Sequence, residues 1–356
     1  MERLAQRRRA LELLRGHGWA TVSFQLLEAD FEYWFDGDDA FVAYIDTGGA
    51  WVAGGPPIAP PERLVEVTHD FIAAARAAGR RASFFACEQR FVDAIGGHAL
   101  RIGEQPVWDP REWDAVLADT EASSLRYQLR RAGKKGVIVR EVSAAEVADP
   151  ASPVHRAVES LAGAWMAGRG MAPMRFLVQL EPLTFAEERV LFVATRGDEV
   201  VGFLSAVPVY ARRRLFVEDL LRAPHAPNGT IELLVDAAMR AAHARDDAGV
   251  TLGLAPLAGD VAPLLRLARS VSSPLYDFRG LHAFKSRLRP RTWEPVYLCA
   301  PGSSTMVALH DGLAAFAGGS LMRFGLSTLA RRPWLLAAAI AAVLLGALAL
   351  VWWLAL

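Results

Sequence analysis

The stretch LFVEDLLRAPHAPNGTIELLVDAA, residues 215–238, holds an apolar run of strand length, a Pro-containing turn and the start of an amphipathic helix. Its first seven residues are apolar except for Glu218 and Asp219, and Arg222 closes the run. Pro224 and Pro227 break the chain. Asn228 or Thr230 then stands where a helix cap belongs, and Gly229 permits a tight approach. Apolar residues recur at helical spacing from Ile231 to Arg245. Strand, turn and capped helix in this order make an α/β unit.

The same alternation extends outward. Downstream, residues 250–254 read as a strand. Upstream, residues 190–196 and 200–207 are strands joined at Gly197 and Asp198, a hairpin turn. Residues 125–132 and 153–165 read as helices around a strand at 137–142. Nearer the N-terminus, residues 41–45 and 49–53 alternate about a turn, and GGPPIAPPE (54–62) breaks the chain before Pro61 opens a helix. Residues 83–87 and 101–108 are expected strands, with a short helix at 91–95. The fold class expected is α/β (α+β). Two lobes occupy residues 1–115 and 116–300, followed by a linker at 301–332, possible on spacing as an interfacial segment, and a terminal segment at 333–356.

Composition narrows the class of protein. The chain has 356 residues and a formal net charge of zero, so any electrostatic steering comes from local patches. Two cysteines, Cys87 and Cys299, make no disulfide scaffold and suit a reducing compartment. The eight histidines are scattered, with no HExxH and no paired cysteines, so no metal site is expected. Neither a G-x-S-x-G elbow nor a P-loop lysine motif occurs. No organic cofactor is expected either. The N-terminus lacks the apolar core of a signal peptide. Residues 334–356, by contrast, form an uncharged apolar run with tryptophans at both ends and Arg331 and Arg332 before it. As a helix this run is about 35 Å long, enough for one transmembrane crossing. The flanking arginines then keep the body on the cytoplasmic side of the inner membrane.

Five blocks in order carry a family likeness: VEDLLR, APNGT, LGLAPLAG (252–259), YDFRGLHAFK (276–285) and WEPVYL (293–298). Together they resemble the C-terminal catalytic domain of the phosphatidylglycerol lysyltransferase family. That resemblance implies tandem GNAT-like acyltransferase lobes, an aminoacyl-tRNA donor and the hydroxyl of an anionic phospholipid, phosphatidylglycerol, as acceptor. The likeness spans roughly residues 20–300. No multi-span flippase precedes it, so modification of lipid without translocation is expected. The family has Gly-Asp-Pro where this chain has Gly55, Pro56 and Pro57, so that acid is missing here.

On this reading Asp219 holds the aminoacyl ammonium, and Arg222 and Lys285 meet phosphate or oxyanion charge. Gly229 and Thr230, at a helix start with free N–H groups, support the oxyanion. Glu232 is the candidate base, and helix-dipole complementarity explains it equally well. A cationic stripe of Arg126, Arg130 and Lys134, with Arg131 beside it, suits the phosphates of tRNA or lipid head groups. Two rival readings stand beside it. A CoA-dependent N-acyltransferase would need a pyrophosphate-loop pattern that the APNGT turn lacks. A non-catalytic membrane adaptor would bind tRNA or lipid without needing Asp219 or Lys285.

Overall fold

The structure, a computed structural model, describes residues 2–97, 99–167, 176–177, 180–272 and 277–319. One mixed sheet runs through it. Its first-lobe strands are β1 Glu32–Asp36, β2 Ala40–Asp46, β3 Ala50–Ala53, β4 Arg81–Glu88 and β5 Ala99–Trp108. The second lobe supplies β6 Val137–Val142, β7 Val190–Arg196, β8 Glu199–Val209, β9 Arg214–Arg222, β10 Gly249–Thr251, β11 Ala255–Pro256 and β12 Thr292–Cys299. The order across the sheet is β1-β2-β3-β4-β12-β5-β10-β9-β8-β7-β6, with β11 on β5.

Each half repeats one plan. Antiparallel neighbours lead to a single parallel pair, β3 with β4 in the first half and β9 with β10 in the second. The expected strands and hairpins are present, because alternating or fully apolar runs between Gly- and Asp-bearing turns leave the chain few other ways to bury them, except that the strand expected at 250–254 ends at Thr251.

Three features depart from the expected division. First, β12 belongs by sequence to the second lobe, yet it lies between β4 and β5 of the first. A boundary at residue 115 therefore separates stretches of sequence, not independent sheets. Second, the linker expected at 301–332 contains a helix, Thr305–Phe316, docked against β3 and β4. Its buried Asp311 receives two hydrogen bonds from Arg81, at 2.9 and 2.7 Å. Third, an N-terminal helix, Glu2–His17, packs Leu11 and Leu14 into a core shared with Val207, Val209 and Phe216 of the second lobe. The run 334–356 lies outside the described residues. Among the described residues no helix is long and apolar enough to cross a membrane.

Candidate functional site

Parallel strands β9 and β10 are in register from Arg214 and Gly249 to Phe216 and Thr251. There β10 ends while β9 continues to Arg222, so the two chains part. The split lies at the carboxyl ends of the strands, where open sheets of this kind place their ligands. A cavity of about 220 Å³ occupies it, roughly seven water volumes. Residues 216 and 218–221 line one wall and Leu252, Gly253 and Leu254 the other. Val22 and Gln25 reach in from the first lobe, and Trp165 comes from the helix Pro153–Ala167.

A β-bulge equips this cavity. Ser205 pairs with Asp219 and Ala206 with Val217, which leaves Glu218 as the extra residue. A bulge re-aims side chains that regular alternation would send to opposite faces. Both Glu218 and Asp219 consequently line the same cavity. Arg189 neutralises one of them. Its guanidinium bonds Glu218 at 2.5 Å and the Ser205 hydroxyl at 2.8 Å, and lies 3.7 Å from the Asp219 carboxylate. It also donates to the carbonyls of Thr184 and Glu181, tying the 181–184 turn to the sheet.

Asp219 Oδ2 is buried and accepts no hydrogen bond, its ionic partner Arg189 standing 3.7 Å away. Burial, and then the neighbouring Glu218 charge, push its pKa up to about 8, against the opposing pull of Arg189.

Lys285 sits on the helix Phe278–Arg287, buried rather than on a strand edge. Its Nζ donates to the carbonyls of Leu252, Gly253 and Leu254 at 2.8, 2.9 and 2.9 Å. Those carbonyls belong to one wall of the cavity. All three ammonium donors are thereby committed, so Lys285 is not a free cation waiting for phosphate or an oxyanion. It shapes the wall instead.

The remaining expectations are relocated by geometry. Arg222 lies three residues beyond Asp219 on a regular stretch of strand, so the two point to opposite faces rather than into one cleft. Its guanidinium is exposed and bonds Asn228 at 3.3 Å. Glu232 is half-buried in the first turn of the helix Thr230–Ala244 and is absent from the cavity lining.

The Gly229–Thr230 corner is not open to a ligand. Both residues are buried, the Thr230 hydroxyl donates to the Pro227 carbonyl, and the basic helix Ser123–Lys134 covers the corner. A Cβ on Gly229 would stand 2.1 Å from the Gln128 carbonyl oxygen, and φ there is +96°. Gly229→Ala is therefore expected to destabilise the protein by roughly 2–4 kcal/mol, from backbone strain plus overpacking. Denaturant unfolding of the variant checks this, and an unchanged midpoint would refute the tight joint.

On the basic helix, Arg126 is hooked to the carbonyls of Leu117 and Asp119, which makes it a structural clasp. Arg130 and Lys134 are exposed, and Arg131 is half-buried.

Sequence reasoning missed Arg189, Gln25 and Trp165 as members of the site. They come from separate elements and share no spacing. Glu218 did leave a signal, since two adjacent acids inside an apolar strand fit no ordinary alternation.

The phosphatidylglycerol lysyltransferase C-terminal domain pattern matches residues 12–300. The chain belongs to this family. Among curated relatives, an uncharacterised protein of Corynebacterium glutamicum is 26% identical over 327 residues, covering 86% of this chain and 40% of its own length. The lysylphosphatidylglycerol biosynthesis bifunctional protein LysX of Mycolicibacterium gilvum is 25% identical over 284 residues, covering 73% of this chain and 24% of its own. The chain thus spans less than half the length of either relative.

Solved family structures share the fold. The C-terminal domain of a putative lysylphosphatidylglycerol synthetase from Agrobacterium fabrum superposes with a TM-score of 0.74 at 22% identity, covering 90% of this chain and 99% of that one. The L-PGS of Bacillus licheniformis gives 0.72 at 18% identity, covering 87% and 96%.

Proposed function

We propose that this chain transfers an aminoacyl group from aminoacyl-tRNA to the hydroxyl of a membrane lipid, phosphatidylglycerol being the acceptor. The observation that carries the reading is Asp219. It is a buried carboxyl that lines an inter-lobe cavity and whose Oδ2 accepts no hydrogen bond. Such a site suits the α-ammonium of an aminoacyl ester and holds the adjoining ester carbonyl in a dry, fixed position. The acceptor oxygen attacks that carbonyl, and a new ester replaces the old one. The acceptor proton ends on the released tRNA hydroxyl, so no nucleotide is consumed.

Lys285 contributes by holding residues 252–254 as the opposite wall. Exposed Arg130 and Lys134, with Arg131, form the surface for tRNA phosphates, and Arg222 is left for a phosphate on the outer face. The run 334–356 serves as the membrane anchor. The two halves, each antiparallel strands followed by one parallel pair, are read as GNAT-like lobes. An acyl-CoA donor is disfavoured because the Gln128 backbone occupies the helix start that its pyrophosphate would need.

Lipids extracted from cells expressing the intact chain test the reading by mass spectrometry. An aminoacylated phosphatidylglycerol, absent from cells expressing the Asp219→Asn variant, is expected. An unchanged lipid profile from well-expressed wild-type protein would overturn it. The tRNA surface has its own test. Charge reversal, Arg130→Glu with Lys134→Glu, should weaken tRNA binding and reduce the log–log salt slope by roughly one per lost phosphate contact. Filter binding across a salt series would show an unchanged slope if these residues only face solvent.

A further inference from the structure

The helix Thr305–Phe316 is apolar on both of its sides. Ala308, Gly312 and Ala315 are buried on the sheet side, and Phe316 meets Phe85 edge-on at 5.0 Å. The one carboxylate of the helix, Asp311, is turned inward onto Arg81, so no acid is left on the outer side. Outward stand Met306, Val307, His310 and Leu313. Positions 306, 310 and 313 share one face of a helix, and Met306 is 59% and Leu313 50% exposed. Among the described residues ten large apolar side chains are exposed, and three of them sit on this short helix, which makes a patch of them rather than scatter. A helix apolar all round belongs under cover.

The chain that follows points to the cover. After Asp311 the sequence holds no acid and three arginines, Arg323, Arg331 and Arg332, ahead of the uncharged run 334–356. Cations without acids suit an anionic lipid surface. The helix ends at Gly318 and Gly319, both at positive φ, and residues 320–333 join it to the run read above as the anchor. Fourteen residues reach about 50 Å at most, so the anchor keeps this helix close to the bilayer. A second copy of the chain fits less well. A stable dimer buries about 800 Å² on each partner, whereas the stripe from Met306 to Leu313 is about 10 Å long. We propose that the outward side of the helix Thr305–Phe316 seats on an anionic bilayer, with Met306, Val307 and Leu313 entering the acyl boundary and His310 at head-group level. The inference rests on the anchor reading and adds to it the side of the body that meets lipid.

Both native cysteines are buried, so an environment-sensitive fluorophore can be carried by single cysteines placed at exposed positions. Met306→Cys and Leu313→Cys report the helix, and Ile138→Cys, exposed on β6 at the far edge of the sheet, is the control. The full chain is reconstituted with vesicles of phosphatidylcholine and phosphatidylglycerol and recovered by flotation. Labels at 306 and 313 should shift to the blue and be quenched by nitroxide-bearing lipid at least twofold more than the label at 138. Met306→Asp with Leu313→Asp, both at exposed positions, should return a label at Val307→Cys to water without loss of flotation. Labels at 306 and 313 that stay in water would overturn the proposal. A blue shift without quenching by lipid would also overturn it, because protein, either residues 320–333 or a second copy, would then cover the helix. Failure of the anchor reading looks different: the chain would not float with the vesicles, and this inference would fall with it.

Discussion

Asp219→Asn is expected to lower kcat/KM for lipid aminoacylation by about 100-fold or more, while leaving the folded protein at least as stable as the wild type near pH 8. The activity loss corresponds to one charge-assisted hydrogen bond in a dry site, roughly 2–3 kcal/mol. The stability expectation follows from the same burial. Asp219 Oδ2 accepts no hydrogen bond, and its pKa is pushed up to about 8 from the ordinary 3.8. Between those values the folded state holds a proton that the unfolded chain has released. Stability from this group is therefore full below about pH 4 and is lost as pH rises through about 8. The amide cannot ionise, so the variant lacks that decline. Unfolding curves from pH 4 to 9 measure the difference, and a variant with the wild-type decline would show that Asp219 is already compensated. Measured in parallel, activity separates a binding carboxylate from a structural one, which would lose stability and activity together.

Local pattern was enough to read much of this protein. The β7–β8 hairpin follows from apolar strands flanking Gly197 and Asp198, and β6 spans the residues that its alternation marks. Asp219 stood out in the sequence because an acid inside an apolar strand needs a reason, and the structure places it, buried, in the cavity lining. What surrounds it was not legible. The bulge that turns Glu218 and Asp219 to one side depends on register with β8, a non-local pairing that leaves no periodicity in either strand. Arg189 meets that pair from a distant position in the chain. The insertion of β12 between β4 and β5 is likewise invisible, since a strand's pattern says how it is buried and not beside which partner. Gly229 shows a further limit. Sequence identifies a glycine at a helix start, but a turn that receives phosphate and a turn that receives a neighbouring helix need the same small residue. The 2.1 Å approach of Gln128 decides between them.

Lys285→Met should destabilise the protein by about 2–4 kcal/mol and reduce transfer through the shape of the cavity, although the lysine touches no substrate. Methionine fills a similar volume but donates nothing, so the carbonyls of Leu252, Gly253 and Leu254 lose the three hydrogen bonds that gather them. That segment has little freedom to find other partners. Gly253 has φ of +67°, and a Cβ there would stand 2.6 Å from the Phe216 ring, so the chain is pressed against β9. Burial draws the Lys285 pKa down to about 7 from 10.5, while three carbonyl acceptors favour the three-proton form. Because the folded value lies below the unfolded one, its contribution is present above about pH 10.5 and is lost as pH falls through about 7. Wild-type stability should carry that rise from pH 7 to 10.5, and the methionine variant should not. Hydrogen exchange at Leu254 and Ala255 reports the wall directly and should quicken in the variant. A lysine that served substrate phosphate would behave otherwise: its removal would raise KM and leave both exchange and unfolding unchanged. The three carbonyls around Nζ therefore predict a kinetic defect that tracks loop opening, not the charge of the substrate.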